Sequence, residues 1–150
     1  MPRIMLVDDD RGVLRSLGRV IHFMPMALLQ GEAVIESFEE PMLALERVAL
    51  CEFDLIIADY LMPNMHGVAF MRQLNALHSH APRLMLSGHV RVLEYINAVK
   101  GLGAVELMAK PWDDEVLKQA IARLLQSRRE QRGVPVQMQS PVVQQATSAR

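Results

Sequence analysis

The sequence predicts a doubly wound α/β fold, in which helices cover both faces of a five-stranded parallel sheet. Three short apolar runs, at residues 4–7, 55–58 and 84–86, are too short for helices and do not alternate with polar residues. Such runs are typical of strands that are buried on both faces of a parallel sheet. Helix-length segments with an apolar spacing of about 3.6 residues separate them. This alternation of strands and helices indicates a parallel sheet with crossover helices.

Two weaker strands and five helices complete the repeat. The weaker strand candidates are residues 33–38 and 105–109. The predicted helices begin near Arg11 and occupy residues 39–49, 67–77, 90–101 and 113–129. Pro25 interrupts the first helix, because proline lacks the backbone N–H that a helix interior needs. The connection from residue 23 to residue 32 is longer than a helix-to-strand loop requires.

The last helix has the clearest pattern. Its first turn holds acidic residues at 113–115, which complement the positive end of the helix dipole, and basic residues follow at its other end. We interpret residues 128–132 as a solvated helix end. Periodicity ceases there, so we predict one domain at residues 1–130 and a flexible tail or linker at residues 131–150. The predicted inner face carries Val116, Leu117, Ala120, Ile121, Leu124 and Leu125.

The composition describes an ordinary globular domain. Of the 150 residues, 51% are hydrophobic and 22% are charged. The net charge of −1 gives no electrostatic reason to expect nucleic acid or an acidic membrane as a partner. A single cysteine, Cys51, excludes an internal disulfide and favours a reducing compartment. No targeting signal or membrane span is recognisable near the start of the sequence, so we expect a cytoplasmic protein.

Polar side chains follow four of the predicted strands. Asp8 and Asp9 follow the first strand, Asp59 the third, Ser87 the fourth and Lys110 the fifth. Sites in open parallel sheets form just outside the carboxyl ends of the strands, near the point where the strand order reverses. We therefore expect these five residues to meet in one cleft.

The expected cluster suits phosphoryl transfer. Neighbouring carboxylates repel one another, and Mg²⁺ is a hard cation that binds carboxylates, water and phosphate oxygens. Lys110 adds a positive charge, and the Ser87 hydroxyl can donate a hydrogen bond to a phosphoryl oxygen. The attacking oxygen would then belong to a carboxylate, which forms an acyl phosphate. The neighbouring Asp10 is predicted to cap the first helix.

Four segments together resemble the signatures of the response-regulator receiver (phosphoacceptor) domains of two-component signalling. The resemblance covers roughly residues 3–127 and implies a flavodoxin-like fold. It implies that Asp59 is the phosphoacceptor and that Ser87 and Lys110 contact the phosphoryl group. It also implies Mg²⁺ ligands from Asp8, Asp9, Asp59 and the backbone carbonyl of Leu61. The segments are residues 4–10, 54–67, 86–88 and 109–112.

The resemblance further implies how such a domain signals. A sensor histidine kinase or phosphotransfer protein would supply the phosphoryl group, and the only chemistry would be self-phosphotransfer and slow autodephosphorylation. The output face would combine the fourth helix, fifth strand and fifth helix, while the downstream partner and homodimer formation stay open. Leu107 occupies the position where many members carry a switching aromatic residue, and the Lys110–Pro111 bond is usually cis. We hypothesise that Leu61 and His89 set the lifetime of the phosphoryl group.

Three other functions compete with this interpretation. A magnesium-dependent phosphohydrolase would use the Asp-x-Asp spacing of Asp8 and Asp10, but the chain leaves no room for a cap domain. A flavodoxin-like cofactor module would need a Gly- and Ser-rich phosphate loop where three aspartates stand. A degenerate receiver would serve as a stand-alone interaction module. The motif at residues 110–114 resembles receivers joined to enzymatic outputs such as cyclic-dinucleotide phosphodiesterases.

Overall fold

The structure is a computed structural model that describes residues 1–88 and 105–133. Its strands and helices alternate along the chain as the apolar pattern predicts. The strands are β1 (Arg3–Val7), β2 (Val34–Phe38), β3 (Leu55–Asp59), β4 (Leu61–Met62), β5 (Met65–His66), β6 (Arg83–Ser87) and β7 (Val105–Ala109). The helices of the described part are α1 (Arg11–His22), α2 (Met26–Leu29), α3 (Pro41–Val48), α4 (Gly67–Ala76) and α5 (Asp114–Gln131).

Five of the strands form one parallel sheet in the order β2-β1-β3-β6-β7. The short strands β4 and β5 pair with each other in a separate antiparallel hairpin. The order of the main sheet reverses between β1 and β3, which is the switch point of a flavodoxin-like fold. The predicted fold class is confirmed.

Successive residues of the central strands point to opposite faces of the sheet, and each face is buried. Met5 and Ile56 contribute to the hydrophobic cluster under α3 and α4. Ile4 and Ile57 contribute to the cluster under α1 and α5. All four side chains have no exposed surface, which explains why these strands read as continuous apolar runs.

The first helix begins at Arg11 as predicted, and the connection after it contains a helical turn that was not predicted. Asp10 caps α1 as expected, because its carboxylate accepts the backbone N–H of Gly12 at 2.7 Å. The helix ends at His22, before Pro25. A further helical turn, α2, then begins directly after Pro25 and fills the long connection. Proline suits that position because the first turn of a helix leaves its backbone N–H groups without intrahelical partners.

Two residues of α5 differ in burial from what the sequence predicted. Val116 was expected to face inward but is 51% exposed, whereas Arg128 was expected to be solvated but is only 8% exposed. With about 100° of rotation per residue, Arg128 lies between Leu117 and Ile121 at the centre of the buried face. Val116 lies roughly 110° from that centre, at the edge of the face. The other five residues predicted for the inner face are buried, so the periodicity was correct and only Val116 of that set was misassigned.

Some predicted features lie outside the described residues. They are the helix at residues 90–101, His89 and the part of the tail beyond residue 133. Among the described residues, no helix is both long enough and apolar enough to cross a membrane.

Candidate functional site

The carboxyl edge of the main sheet brings the predicted acidic residues together. Asp8 and Asp9 follow β1, and Asp59 ends β3, the neighbouring strand. One carboxylate oxygen from each of the three side chains lies within 4.8 Å of the other two. Asp8 and Asp59 are almost fully buried, with 1% and 8% of their surface exposed, whereas Asp9 is exposed. The three carboxylates therefore form one acidic cluster that opens to solvent at Asp9.

Lys110 reaches this cluster from the end of β7. Its Nζ lies 2.9 Å from Asp8 Oδ2 and 3.5 Å from Asp59 Oδ1. The other oxygen of Asp8, Oδ1, accepts the backbone N–H of Asp10 at 2.8 Å. Both oxygens of Asp8 are thus oriented, one by a cation and one by the backbone. Lys110 neutralises part of the charge of the two buried carboxylates.

Burial and contacts within the cluster shift the pKa values of Asp59 and Lys110. Burial, followed by the nearby charge of Asp8, raises the pKa of Asp59 above the ordinary aspartate value. Lys110 and the backbone N–H of Leu61, which lies 3.3 Å from Asp59 Oδ1, act in the opposite direction. Burial alone would lower the pKa of Lys110, but its contacts with Asp8 and Asp59 outweigh that effect and the pKa is raised. Lys110 is therefore a permanent cation at neutral pH.

Ser87 lies between the strands that carry Asp59 and Lys110. It ends β6, where the preceding Leu86 pairs with Asp59 and Ser87 itself pairs with Ala109. The backbone N–H of Lys110 donates to the carbonyl of Ser87 at 2.9 Å. Ser87 is 4% exposed. The peptide bond after Lys110 is cis, as the resemblance implied.

The segment from Asp59 to α4, which we term the 59–67 loop, folds back on itself. Leu61 pairs with His66 in the β4–β5 hairpin, and the backbone N–H of Gly67 donates to the carbonyl of Tyr60 at 2.6 Å. A Cβ atom at Gly67 would lie only 2.7 Å from that carbonyl oxygen, so only glycine fits there without a shift of the backbone. This hairpin was not predicted from the sequence, although residues 54–67 form one of the four segments that carry the resemblance.

Two leucines occupy positions for which the resemblance implies a role. Leu61 is 49% exposed, and its backbone N–H lies 3.3 Å from Oδ1 of Asp59. Leu107 is half-buried against the hydrophobic cluster under α3 and α4 and pairs with Met85 of β6. An aliphatic side chain therefore occupies the position at which many members of the family carry an aromatic one.

The chemistry of the donor set fits a hard divalent cation. Oxygen ligands are what Mg²⁺ prefers, and one or two carboxylates with water commonly suffice. Among the described residues, Asp8, Asp9 and Asp59 are the only group of three His, Cys, Asp or Glu side chains close enough to share a metal ion. Lys110 lies next to this group, and Ser87 ends the strand between those that lead to Asp59 and Lys110.

The family model for the response regulator receiver domain matches residues 4–122 of this chain. The chain belongs to the response-regulator receiver family. This receiver domain is 30% identical over 129 residues to the response regulator protein TodT of Pseudomonas putida, a match that covers 86% of the chain and 53% of TodT. It is 28% identical over 130 residues to the 3′,5′-cyclic-nucleotide phosphodiesterase regA of Dictyostelium discoideum, which covers 83% of the chain and 15% of regA.

A solved structure has the same fold. The signal receiver domain of an HD domain-containing protein from Pseudomonas fluorescens Pf-5 superimposes with a TM-score of 0.75 and 25% identity, over 89% of this chain and 93% of that one. The receiver thus spans nearly all of an isolated receiver domain but only about half of TodT, 53% of its length. The predicted receiver of two-component signalling is confirmed. None of these similarities favours the phosphohydrolase, the flavodoxin-like module or the degenerate receiver.

The capping role of His66 and the steric constraint on Gly67 were not predicted from the sequence. His66 caps α4, since its Nδ1 accepts the backbone N–H of Val68 at 3.3 Å. The only signal for this role was its position directly before the predicted start of a helix at residue 67. Histidine is not among the preferred capping residues, so propensity alone does not identify it.

Proposed function

We propose that this receiver accepts a phosphoryl group on Asp59 from a sensor histidine kinase or a phosphotransfer protein, in a reaction that depends on Mg²⁺. The observation that carries the proposal is the position of the Lys110 Nζ, which contacts both Asp8 Oδ2 and Asp59 Oδ1. A buried carboxylate held between a second carboxylate and a lysine has the surroundings that carboxylate phosphorylation requires.

Asp8, Asp9, Asp59 and the backbone carbonyl of Leu61 would hold the metal. When bound, Mg²⁺ neutralises the carboxylates and the oxygens of the incoming phosphoryl group. The acidic cluster supports this assignment, because its three oxygens lie within 4.8 Å of one another and Lys110 compensates only part of their charge. Metal binding also favours the ionised form of Asp59, which opposes the effect of burial on its pKa.

The transfer step is a displacement at phosphorus. A carboxylate oxygen of Asp59 forms the new P–O bond while the P–N bond to the donor histidine breaks, and the electron pair of that bond stays on the imidazole. Oδ1 of Asp59 is held by Lys110 and by the N–H of Leu61, so Oδ2 is the oxygen assigned to attack. Lys110 then neutralises the acyl phosphate, and the Ser87 hydroxyl donates to a phosphoryl oxygen.

Incubation with acetyl phosphate and Mg²⁺, followed by intact-mass analysis, tests this function. We expect a gain of one phosphoryl group that disappears in Asp59→Asn and when the metal is chelated. Asp54→Asn is the matched control, because Asp54 directly precedes the opposite end of β3. The control should be phosphorylated like the wild type. Phosphorylation of Asp59→Asn at the wild-type level would contradict the proposal, and so would a wild type that gains no phosphoryl group.

The same proposal extends to the protein's place in signalling. The receiver would act in the cytoplasm, without catalysis beyond self-phosphotransfer and slow autodephosphorylation, as a domain of residues 1–130 followed by a tail or linker at 131–150. Its output would pass through the predicted helix at 90–101, β7 and α5 to an attached domain or a separate protein, with or without homodimer formation. An attached output is supported by TodT and regA, which are both longer than this chain.

A further inference from the structure

His66 makes three different contacts within the 59–67 loop and with the helix that follows. Its backbone pairs with Leu61 across the β4–β5 hairpin. Its imidazole packs edge-on against the ring of Tyr60, with 4.6 Å between the ring centroids and 75° between the ring planes. Its Nδ1 accepts the N–H of Val68 at 3.3 Å. One residue thus joins the start of the loop, its middle and the first turn of α4.

Backbone hydrogen bonds hold the loop in place on the C-terminal side of Asp59. The backbone N–H of Tyr60 donates to the carbonyl of Leu86 in β6 at 2.8 Å, and the carbonyl of Tyr60 accepts the N–H of Gly67 at 2.6 Å. The peptide of Tyr60 is therefore held between the sheet and the start of α4. Asp59 and Leu61, on either side of Tyr60, are linked by the hydrogen bond from Leu61 N–H to Asp59 Oδ1 at 3.3 Å.

In the hydrogen bond with the Val68 N–H, the acceptor is the Nδ1 atom of the His66 side chain. The first backbone N–H groups of a helix have no intrahelical partners, so the cap keeps the first turn of α4 formed. Gly67 is the first residue of that turn and the donor to Tyr60. If the turn frays, the hydrogen bond between Gly67 and Tyr60 loosens with it. A well-formed first turn of α4 therefore helps to fix the backbone of Tyr60, the residue after Asp59.

We propose that His66 is a positioning residue for the metal site. Its capping bond to Val68 holds the 59–67 loop in the shape that presents Asp59 and the carbonyl of Leu61 to Mg²⁺. This inference rests on the proposed function, because it assumes that these two residues bind the metal. Residues that orient metal ligands from outside the coordination shell typically change metal affinity by roughly tenfold or more when they are replaced.

Magnesium titrations of four variants, followed by calorimetry or by amide chemical shifts, test the inference without any phosphoryl donor. His66→Ala and His66→Phe both lack the acceptor, and Phe keeps a ring against Tyr60. Both should bind Mg²⁺ about tenfold more weakly than the wild type. His66→Asn restores a favoured capping oxygen and should recover most of the affinity. Asp54→Ala is the control, because it also removes an acceptor of a backbone N–H, that of Arg3 at 2.8 Å, but far from the site.

A second measurement separates positioning from simple destabilisation. With acetyl phosphate, His66→Ala should need about tenfold more Mg²⁺ for half-maximal phosphorylation but should reach the wild-type rate at saturating Mg²⁺. A wild type that does not bind Mg²⁺ would refute the proposed function itself. Normal Mg²⁺ affinity in His66→Ala, despite a lower Tm, would overturn the inference and leave the proposed function intact. Failure of His66→Asn to recover affinity would overturn it as well.

Discussion

The Nζ of Lys110 lies 2.9 Å from Oδ2 of Asp8, although 102 positions separate the two residues in the sequence. Asp8 follows β1 and Lys110 follows β7, and two strands of the sheet, β3 and β6, stand between them. The ion pair therefore spans the switch point and encloses Asp59, the last residue of β3. It links the proposed phosphoacceptor to the far edge of the sheet.

Without Lys110, the buried carboxylates of Asp8 and Asp59 should lose the cation that offsets their mutual repulsion. Lys110→Met is expected to lower the free energy of unfolding by roughly 2–3 kcal/mol without metal, because Asp8 then stays buried without its cation. Urea denaturation measures the loss, and added Mg²⁺ should restore part of it. Lys118→Met is the control, since Lys118 pairs with Glu115, whose side chain is 75% exposed, and should change stability by less than about 0.5 kcal/mol. Equal effects of the two substitutions would contradict this account.

The raised pKa of Asp59 predicts a pH-dependent effect of its replacement. Burial and the charge of Asp8 place its pKa in the folded protein above the value in the unfolded chain. The ionised side chain therefore destabilises the metal-free protein at neutral pH, and this penalty disappears as the pH falls through the folded pKa towards the unfolded one. Asp59→Asn should raise Tm by a few degrees at neutral pH in EDTA and should lose that advantage below the ordinary aspartate range. A Tm difference that is independent of pH would argue against a buried, charged Asp59.

The close approach at Gly67 predicts that the 59–67 loop does not tolerate a side chain there. Gly67→Ala would place a Cβ 2.7 Å from the Tyr60 carbonyl oxygen and 2.8 Å from Met85 Cε. We expect a loss of about 2 kcal/mol in the free energy of unfolding, together with weaker Mg²⁺ binding. Gly18→Ala, in α1, is the matched control, because a Cβ there meets nothing within 4 Å and alanine favours the helix. The control should be neutral or more stable by up to ~1 kcal/mol. A stable Gly67→Ala would show that the loop accommodates the side chain by shifting.

The burial of Arg128, which the sequence pattern did not predict, should contribute to stability. Its guanidinium lies 3.3 Å from Glu52 and 3.5 Å from Asp54, at the end of the sheet opposite the acidic cluster. Arg128→Met keeps the apolar stem but removes the charge, and should lower the free energy of unfolding by about 1–3 kcal/mol. The adjacent Arg129 is exposed, so Arg129→Met should change it by less than about 0.5 kcal/mol. Chemical denaturation compares the two, and equal losses would mean that burial of Arg128 does not contribute.

Leu61 should influence the lifetime of the phosphoryl group. Leu61 is half-exposed and its backbone N–H donates to Asp59 Oδ1, so we expect its apolar side chain to restrict the approach of water to an acyl phosphate. Leu61→Asn should change the dephosphorylation rate severalfold, whereas the rate of phosphorylation should change little. His89→Ala tests the other half of the hypothesis, since His89 follows Ser87 by two positions. Release of inorganic phosphate from the phosphorylated protein measures both, and unchanged rates would refute the hypothesis.

The three central strands of the main sheet were predictable because each is an uninterrupted apolar run in the sequence. Ile4, Ile56 and Leu84 belong to runs whose every side chain is buried, and a polar residue ends each run at the same edge. Parallel pairing then requires those polar residues to meet. The convergence of Asp8, Asp59 and Lys110 was therefore predictable without knowledge of any individual contact.

Features that depend on distant partners were not predictable. Arg128 pairs with Glu52 and Asp54, which lie in another part of the chain, and the spacing of residues within one helix does not reveal such partners. The β4–β5 hairpin has two residues per strand and is held by contacts of Tyr60 with His66 and Gly67, too few residues for a period to be recognised. The helical turn α2 has only 4 residues and likewise carries no readable periodicity.

Chemical location of the phosphoryl group tests the central claim most directly. Borohydride reduction of an aspartyl phosphate converts the aspartate to homoserine, and peptide mass spectrometry then identifies the modified position. After incubation with acetyl phosphate and Mg²⁺, we predict homoserine at position 59 and unmodified aspartate at positions 8 and 9. Homoserine at Asp8 or Asp9 in place of Asp59, or a phosphorylated protein with no reduced aspartate, would contradict the account.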